Sequence, residues 1–329
     1  MADQFRVGMI GTGRIAQTYL SNWGKVEGAE LAAVCDVDAG LVQSATEAYG
    51  CTGYSNYKEM IAREKLDGVV VCTPPVTHRE FVTDSLESGL HVLCEKPIAI
   101  SSQDLSEMYK TAGTQNRRLM MASKFRYVED VAAARSLIKS GVLGKPVLLN
   151  NTFANWLDVR ERWNSKREIG GGGVLIDNGT HSVDITRFLL GSITEVHAYE
   201  GPRVQPIEVE DTCHVSFRTE SDAIGTIDLS WSIHKELDSY VDIFGTEGML
   251  SLGWRGARYR QNHSKSWVEF GSGYDKNLAF QSQLTNFVGF CRGTEDPRIT
   301  EVDAKASVYA IEAAYQSTTT GCWQKVVQD

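Results

Sequence analysis

No apolar run in this 329-residue chain approaches the ~18–20 residues of a membrane-spanning helix. No block of five or six like charges occurs, which excludes a charged tail or arm. Basic residues are the minority: 33 Lys and Arg stand against 42 Asp and Glu. The resulting net charge of −9 argues against nucleic acid or another polyanion as partner. Seven cysteines are present without a CxxC pair, so neither a disulfide framework nor a zinc knuckle is expected. Cys35, Cys72 and Cys94 end apolar runs and read as small buried hydrophobes. The opening MADQFRVGMIGTG lacks a basic segment followed by an apolar one, so no secretory signal is read there. These absences set the expectation of a reduced, cytoplasmic protein with no membrane partner. Internal repeats and low-complexity tracts are missing as well.

What is present is ordinary globular content, 42% hydrophobic residues, over a length that favours two domains. The first third alternates apolar runs with amphipathic stretches. The runs are 5–10, 30–35, 68–73, 90–95 and 119–123, and glycines such as Gly50 and Gly89 close the stretches between them. Strands apolar throughout and alternating with helices predict a parallel, doubly wound α/β sheet. After about residue 145 the rhythm changes to strand-like runs punctuated by Gly, Asp, Ser and Pro, with hairpin turns at 245–248 and 253–256. Helices are expected at 128–140, after Asp177, and at 277–291 and 303–320. We therefore expect an α/β Rossmann domain over 1–123, then an α+β domain over 124–329 with a large, mostly antiparallel open sheet.

The first run ends in Gly11-Thr12-Gly13-Arg14-Ile15-Ala16, a G-x-G-x-x-A fingerprint in its strand–turn–helix setting. Gly11 allows the tight turn, Gly13 lets the backbone approach a pyrophosphate, and Ala16 permits close helix–strand packing. Amides of the helix start, around Arg14 and Ile15, then face the phosphates. Asp36 ends the second run at the spacing of the ribose-binding carboxylate. It would repel a 2′-phosphate, and Val37 and Asp38 supply no cation to receive one, so NAD is favoured over NADP.

Two other strand ends border the same crevice. One carries Thr73-Pro74-Pro75 with His78 following, the other Glu95-Lys96-Pro97. By itself Lys96 is read equally well as an exposed charge or as a cation aimed into the cleft. Further on, GGGGVLIDNGTHSVD (170–184) follows four glycines with Asp177, His181 and Asp184 on one helical face. A solvated helix face is the plain reading, and an acid/base site is the sharper one.

Together GTGRIA, TPPVTH, HVLCEKP and GGGGVLIDNGTHSVD resemble the Gfo/Idh/MocA oxidoreductases, which include glucose-fructose oxidoreductase and inositol dehydrogenase. The resemblance covers nearly the whole chain. It implies that Lys96 is the active-site lysine and that Asp177 and His181 complete the catalytic group. It implies cofactor contacts from Gly11, Gly13, Arg14, Ile15, Asp36, Thr73, Pro74, His78, Glu95, Lys96 and Trp163, with NAD as cofactor and no metal. It implies a carbohydrate substrate, its ring hydroxyl oxidised or the matching ketone reduced, and a homodimer or homotetramer formed through the second domain's sheet. Two positions depart from the family: Pro75 stands where many members have Asn, and Asn164 follows Trp163 where many have Arg.

On this reading the glycine run lets the second domain approach cofactor and substrate, Asp177 lies just ahead of the helix, and His181 falls one turn in. Histidine, with an ordinary pKa near ~6.5, suits proton transfer to and from a hydroxyl. Lys96 would hydrogen-bond the reacting oxygen, and the two roles are interchangeable at this level. Asp184 is read as a surface or helix-supporting carboxylate. The substrate side is expected to involve Lys96, Arg126, Tyr127, Trp163, Asp177 and His181. Trp156, Trp163, Arg160, Arg162, Lys166 and Arg167 offer ring-stacking faces and charge for an anionic sugar derivative, or else form a solvated loop with two core tryptophans. Other readings are a glycosidase working by transient oxidation with NAD retained, and a non-enzymatic dinucleotide sensor.

Overall fold

A computed structural model describes residues 4–235 and 237–328. The chain forms two compact units, residues up to 124 with 277–301, and 125–276 with 302 onward.

In the first unit β1 (Phe5–Ile10), β2 (Ala29–Cys35), β3 (Thr52–Tyr54), β4 (Gly68–Val71), β5 (His91–Cys94) and β6 (Leu119–Met121) form one sheet. Its order is β3-β2-β1-β4-β5-β6, and every pairing is parallel. The central strands are apolar because helices cover both faces; Val7, Val69, Val70, Val71 and Leu93 are wholly buried. The strand order reverses at β1. Its carboxyl end is therefore the switch point at which such sheets bind ligands.

The helices are α1 (Ala16–Leu20), α2 (Ala39–Tyr49), α3 (Tyr57–Arg63), α4 (His78–Glu87) and α5 (Ser102–Thr114). α1 is shorter than its pattern suggests, since a separate 3-10 turn, Trp23–Lys25, takes up the remainder. α2 is bounded as its sequence implies: Asp38 caps the amides of Gly40 and Leu41, and Gly50 ends it in the left-handed region (φ 69°).

In the second unit α6 (Glu129–Lys139), β7 (Pro146–Ala154), α7 (Arg167–Gly170) and α8 (Val174–Leu190) precede the strands β8 (Ile193–Glu200), β9 (Thr212–Thr219), β10 (Ile224–Ser230), β11 (Ser239–Gly245), β12 (Gly248–Gly253), β13 (Ala257–Gln261) and β14 (Val268–Gly271). α9 (Lys276–Arg292), α10 (Glu301–Thr320) and β15 (Gln324–Lys325) follow. The sheet runs β14-β13-β12-β11-β7-β10-β9-β8-β15, antiparallel except for β7 and β10. Alternate residues of β9 are buried, Cys213, Val215 and Phe217 among them. On the opposite face the outward residues pair across strands: His214 with Asp228 at 2.6 Å, Thr226 with Asn150 at 3.1 Å, and Ser251 with Asp242 at 2.6 Å.

The division at 123/124 is corrected by α9, all of which but its first residue belongs to the first unit. Phe280 sets its ring edge-on to Tyr19 at 4.8 Å, Phe287 meets Phe5 at 6.2 Å, and Arg292 donates to the Gly28 carbonyl at 2.7 Å. Helical periodicity marks α9 as amphipathic but does not say which core its apolar face joins. Among the described residues no helix is long and apolar enough to cross a membrane.

Candidate active site

The turn after β1 has the shape its glycines imply. Gly11 sits at φ 91°, and a Cβ there would meet the Cys72 backbone carbonyl at 2.9 Å. A Cβ on Gly13 would meet nothing within 4 Å, which leaves open space for a phosphate against the backbone. Ala16 is wholly buried, as close helix–strand packing requires. Arg14 is exposed and Ile15 half-buried. The half-buried Asp36 carboxylate is tied to the same turn: Thr12 donates to it from its amide at 2.7 Å and from its hydroxyl at 3.1 Å, and the Asp38 amide donates at 3.0 Å. Neighbouring Val37 is 95% exposed and Asp38 is acidic, so no cation offsets Asp36 within this loop. A dinucleotide with a free ribose 2′-hydroxyl fits this chemistry. Asp36→Ala should therefore narrow a preference of at least about tenfold for NADH over NADPH, measured by fluorescence titration (about 1.4 kcal/mol). Equal affinities in the unsubstituted protein would contradict this assignment.

At the ends of β4 and β5 the structure gives two expected cofactor ligands a different task. His78 is fully buried, its Nδ1 2.9 Å from the Pro97 carbonyl and its Nε2 2.8 Å from the Thr73 carbonyl. It ties the Thr73-Pro74 loop to the Lys96-Pro97 loop, and burial pulls its pKa below the ordinary value. Glu95, 7% exposed, accepts from the Tyr19 hydroxyl at 2.7 Å and from the Lys96 amide at 2.9 Å. Burial raises its pKa, and the charge of Lys96 is the largest opposing influence. Both residues support the loops. Lys96 itself is half-buried at the cis Lys96–Pro97 bond, and Thr73 and Pro74 are also half-buried.

In the second unit Asp177 lies within the first turn of α8, which begins at Val174, and not ahead of the helix as expected. His181 follows one turn later, 7% exposed, with Phe125 edge-on to its ring at 5.2 Å. The glycine run has a local cause. Gly171 adopts φ 80°, a Cβ on Gly172 would fall 1.9 Å from the Tyr315 hydroxyl, and one on Gly173 would fall 2.0 Å from the Glu210 carbonyl. Gly172 and Gly173 therefore admit Tyr315 and Glu210, a close approach within the second unit itself. Buried Glu210 caps α8, accepting from Gly173 at 2.9 Å, Leu175 at 3.1 Å and the Tyr315 hydroxyl at 2.7 Å. Its pKa is raised by burial. Sequence reasoning missed both residues, because nothing local marks a cap that arrives from so far along the chain.

Four further expectations are revised. Asp184 is no surface carboxylate: it is wholly buried and holds Arg126 at 2.7 Å from Nη2 and 2.9 Å from Nε. Arg126, 4% exposed, also reaches Asp303 at 2.9 Å, and Tyr127 is 2% exposed, so both are built into the core and are not presented to a substrate. Asp184→Asn should lower unfolding free energy by about 3 kcal/mol in a denaturant titration, because it strips a buried guanidinium of one counter-charge. No loss of stability would rule out this role for the pair. Trp156 and Trp163 are 50% and 45% exposed, which sets aside the core alternative for them. Arg160 is paired locally with Asp158 at 2.6 Å, and that removes one cation from the anion-binding reading.

A cavity of about 720 Å³ in this unit is lined by Asn155, Lys235, Asp238, Trp254, Arg255 and Arg258 among others, and neither Asp177 nor His181 contributes to it. Among the described residues no group of three or more His, Cys, Asp or Glu side chains is arranged to hold a metal ion.

Family models match both units. Residues 5–123 fit the "oxidoreductase family, NAD-binding Rossmann fold" and residues 131–251 fit the "GFO/IDH/MocA C-terminal domain". The chain belongs to the Gfo/Idh/MocA family. D-apiose dehydrogenase of Paraburkholderia graminis is 25% identical, aligned over 97% of this chain and 88% of that protein. Myo-inositol 2-dehydrogenase of Thermotoga maritima is 24% identical over 95% and 96% of the two chains. A solved levoglucosan dehydrogenase in complex with NADH superposes with a TM-score of 0.91 at 19% identity, covering 99% of this chain and 100% of that one, and shares its fold. This Gfo/Idh/MocA member is an NAD-dependent dehydrogenase.

Proposed function

We propose that this dehydrogenase acts on a CH–OH carbon of a sugar, a cyclitol or an anionic sugar derivative. The observation that carries the reading is near full-length similarity to enzymes named for D-apiose and myo-inositol. Bound NAD supplies the hydride acceptor. The residues of the chain handle the substrate oxygen: His181 takes the hydroxyl proton as the C–O bond gains double-bond character, and Lys96 donates a hydrogen bond that stabilises the developing negative charge. Asp177 orients the imidazole or binds a neighbouring hydroxyl. Arg14, Ile15, Thr73, Pro74 and Trp163 remain proposed cofactor contacts, with Trp163 also a stacking face for a sugar ring. Half-exposed Arg162 and exposed Lys166 and Arg167 are the cations proposed to meet an anionic group.

The test is a panel of myo-inositol, D-apiose, levoglucosan, a methyl glucoside and a uronic acid, each with NAD, followed by NADH absorbance. Turnover with one or more of these and none with simple primary alcohols is expected; the reverse pattern would defeat the proposal. Nitrophenol release from a nitrophenyl glycoside without net NADH would move the assignment to glycoside cleavage by transient oxidation. The second unit's sheet is proposed to pair with another copy of the chain through the face bearing Tyr199, 52% exposed and stacked on His214 at 5.0 Å. Light scattering should then give a dimer or tetramer, and a monomer at micromolar concentration would rule this out.

A further inference from the structure

The proposed role of Lys96 places its side chain at the end of β5, on the Glu95-Lys96-Pro97 turn. The structure supplies support from far along the chain. Gln283, on α9 and wholly buried, donates from Nε2 to the Tyr19 hydroxyl oxygen at 2.8 Å. Tyr19, also wholly buried, donates its own proton to Glu95 at 2.7 Å, and the other Glu95 oxygen accepts the Lys96 amide at 2.9 Å. Three buried groups thus form a line of hydrogen bonds that meets the Lys96 backbone at Glu95, which accepts from Tyr19 on one oxygen and from the Lys96 amide on the other. Phe280, one turn before Gln283, packs edge-on against the Tyr19 ring at 4.8 Å and holds the phenol in this position.

We infer that Gln283 is a positioning residue for Lys96, acting through Tyr19 and Glu95. The inference rests on the proposed catalytic reading of Lys96. Its physical basis is cooperative. A phenol whose oxygen accepts a hydrogen bond is a better donor, so the Gln283 amide strengthens the Tyr19–Glu95 bond. That bond favours the ionised form of Glu95 against the burial that raises its pKa, and Lys96 carries the main charge answering it. Losing the amide weakens the phenol as donor. Glu95 then keeps its proton to higher pH, and the Lys96 ammonium loses a negative neighbour. The effect reaches Lys96 even though Gln283 itself touches no reactant. A side chain that merely fills space would have no such consequence.

The experiment uses the full-length protein and acetic anhydride as a trace acylating probe. Acylation of Lys96 is measured by peptide mass spectrometry relative to exposed Lys110, across a pH series. Gln283→Met keeps the volume and removes the donor; Tyr19→Phe keeps the ring and removes the hydroxyl. Each should raise relative acylation of Lys96 about threefold or more near neutral pH, because weakening the negative charge of Glu95 loosens its hold on the Lys96 side chain. The double variant should do no more than the stronger single one, since both act through one line of bonds. Turnover in the substrate panel should fall about 3–10-fold in each, the size of one neutral hydrogen bond.

Unchanged acylation with only a lower melting temperature would make Gln283 a packing residue and overturn the inference. Additive effects in the double variant would overturn the line of bonds. Should Gln283→Met fail to fold, Tyr19→Phe alone decides, since unchanged Lys96 acylation there also overturns it. Lys96→Ala separates the two layers. Normal turnover in that variant defeats the catalytic reading whatever the acylation shows. Lost turnover there, beside wild-type behaviour of Gln283→Met, defeats the positioning role alone.

Discussion

His181→Asn should lower turnover by about 10²–10⁴-fold, the range that a positioned general base contributes. The fold and NADH affinity should survive, because Asn retains a polar group of similar reach beside the Phe125 ring that flanks the imidazole at 5.2 Å. The pH dependence gives a sharper test. Only a neutral imidazole accepts a proton, so kcat/KM for oxidation should rise with pH through one ionisation, and this limb should flatten or shift in the variant. In the ketone-reducing direction the sign reverses, since the protonated ring is then the donor. Melting temperature and turnover should be measured on the same preparation. A destabilised variant with full turnover per folded molecule would make His181 a core histidine, which its 7% exposure also permits.

Lys96→Ala should cut turnover by about 10²-fold or more, as removing one oxyanion donor commonly does. Lys96→Arg should recover little of it, because a planar guanidinium does not replace a compact ammonium. Cofactor affinity should change only slightly, since the phosphate-binding turn lies at β1 and Lys96 at the end of β5. The variant also leaves buried Glu95 without the charge that most strongly opposes its raised pKa. Some loss of stability is therefore expected above the ordinary carboxylate range, where Glu95 would have to be ionised without that partner. Full turnover with a proven substrate would reduce Lys96 to a structural counter-charge.

Local features were legible in the amino-acid order, and distant ones were not. The β1 strand and the turn from Gly11 to Ala16 could be read because every residue that shapes them is a near neighbour, and Asp36 could be read because its spacing from the turn is part of the fingerprint. The strands β3, β13, β14 and β15 escaped because they are short or largely exposed, which leaves little apolar pattern. The pairing of Arg126 with Asp184, and of Glu210 with the start of α8, joins residues that nothing local connects. The same limit explains His78. Its place beside a strand end suggested a ligand, but whether a ring faces a cofactor or two backbone carbonyls depends on the loop from the neighbouring strand. The glycine run was singled out for approach to a ligand, whereas Gly172 and Gly173 pack against Tyr315 and Glu210. Glycine marks a close approach, and the sequence does not say of what.

The return of α9 to the first unit bears on how the molecule is made. A ribosome releases β1 to β6 early, but Gln283, Phe280 and Phe287, which complete the buried surroundings of Tyr19 and Phe5, emerge only after strands β7 to β14 of the second sheet have been synthesised. The nascent first unit therefore waits with apolar surface uncovered, while most strands of the second can already pair. A unit built from two segments separated in the chain is exposed to aggregation for the time that translation of some 150 intervening residues takes, at ~5–20 residues per second. Slowing synthesis within the second unit should lengthen that exposure.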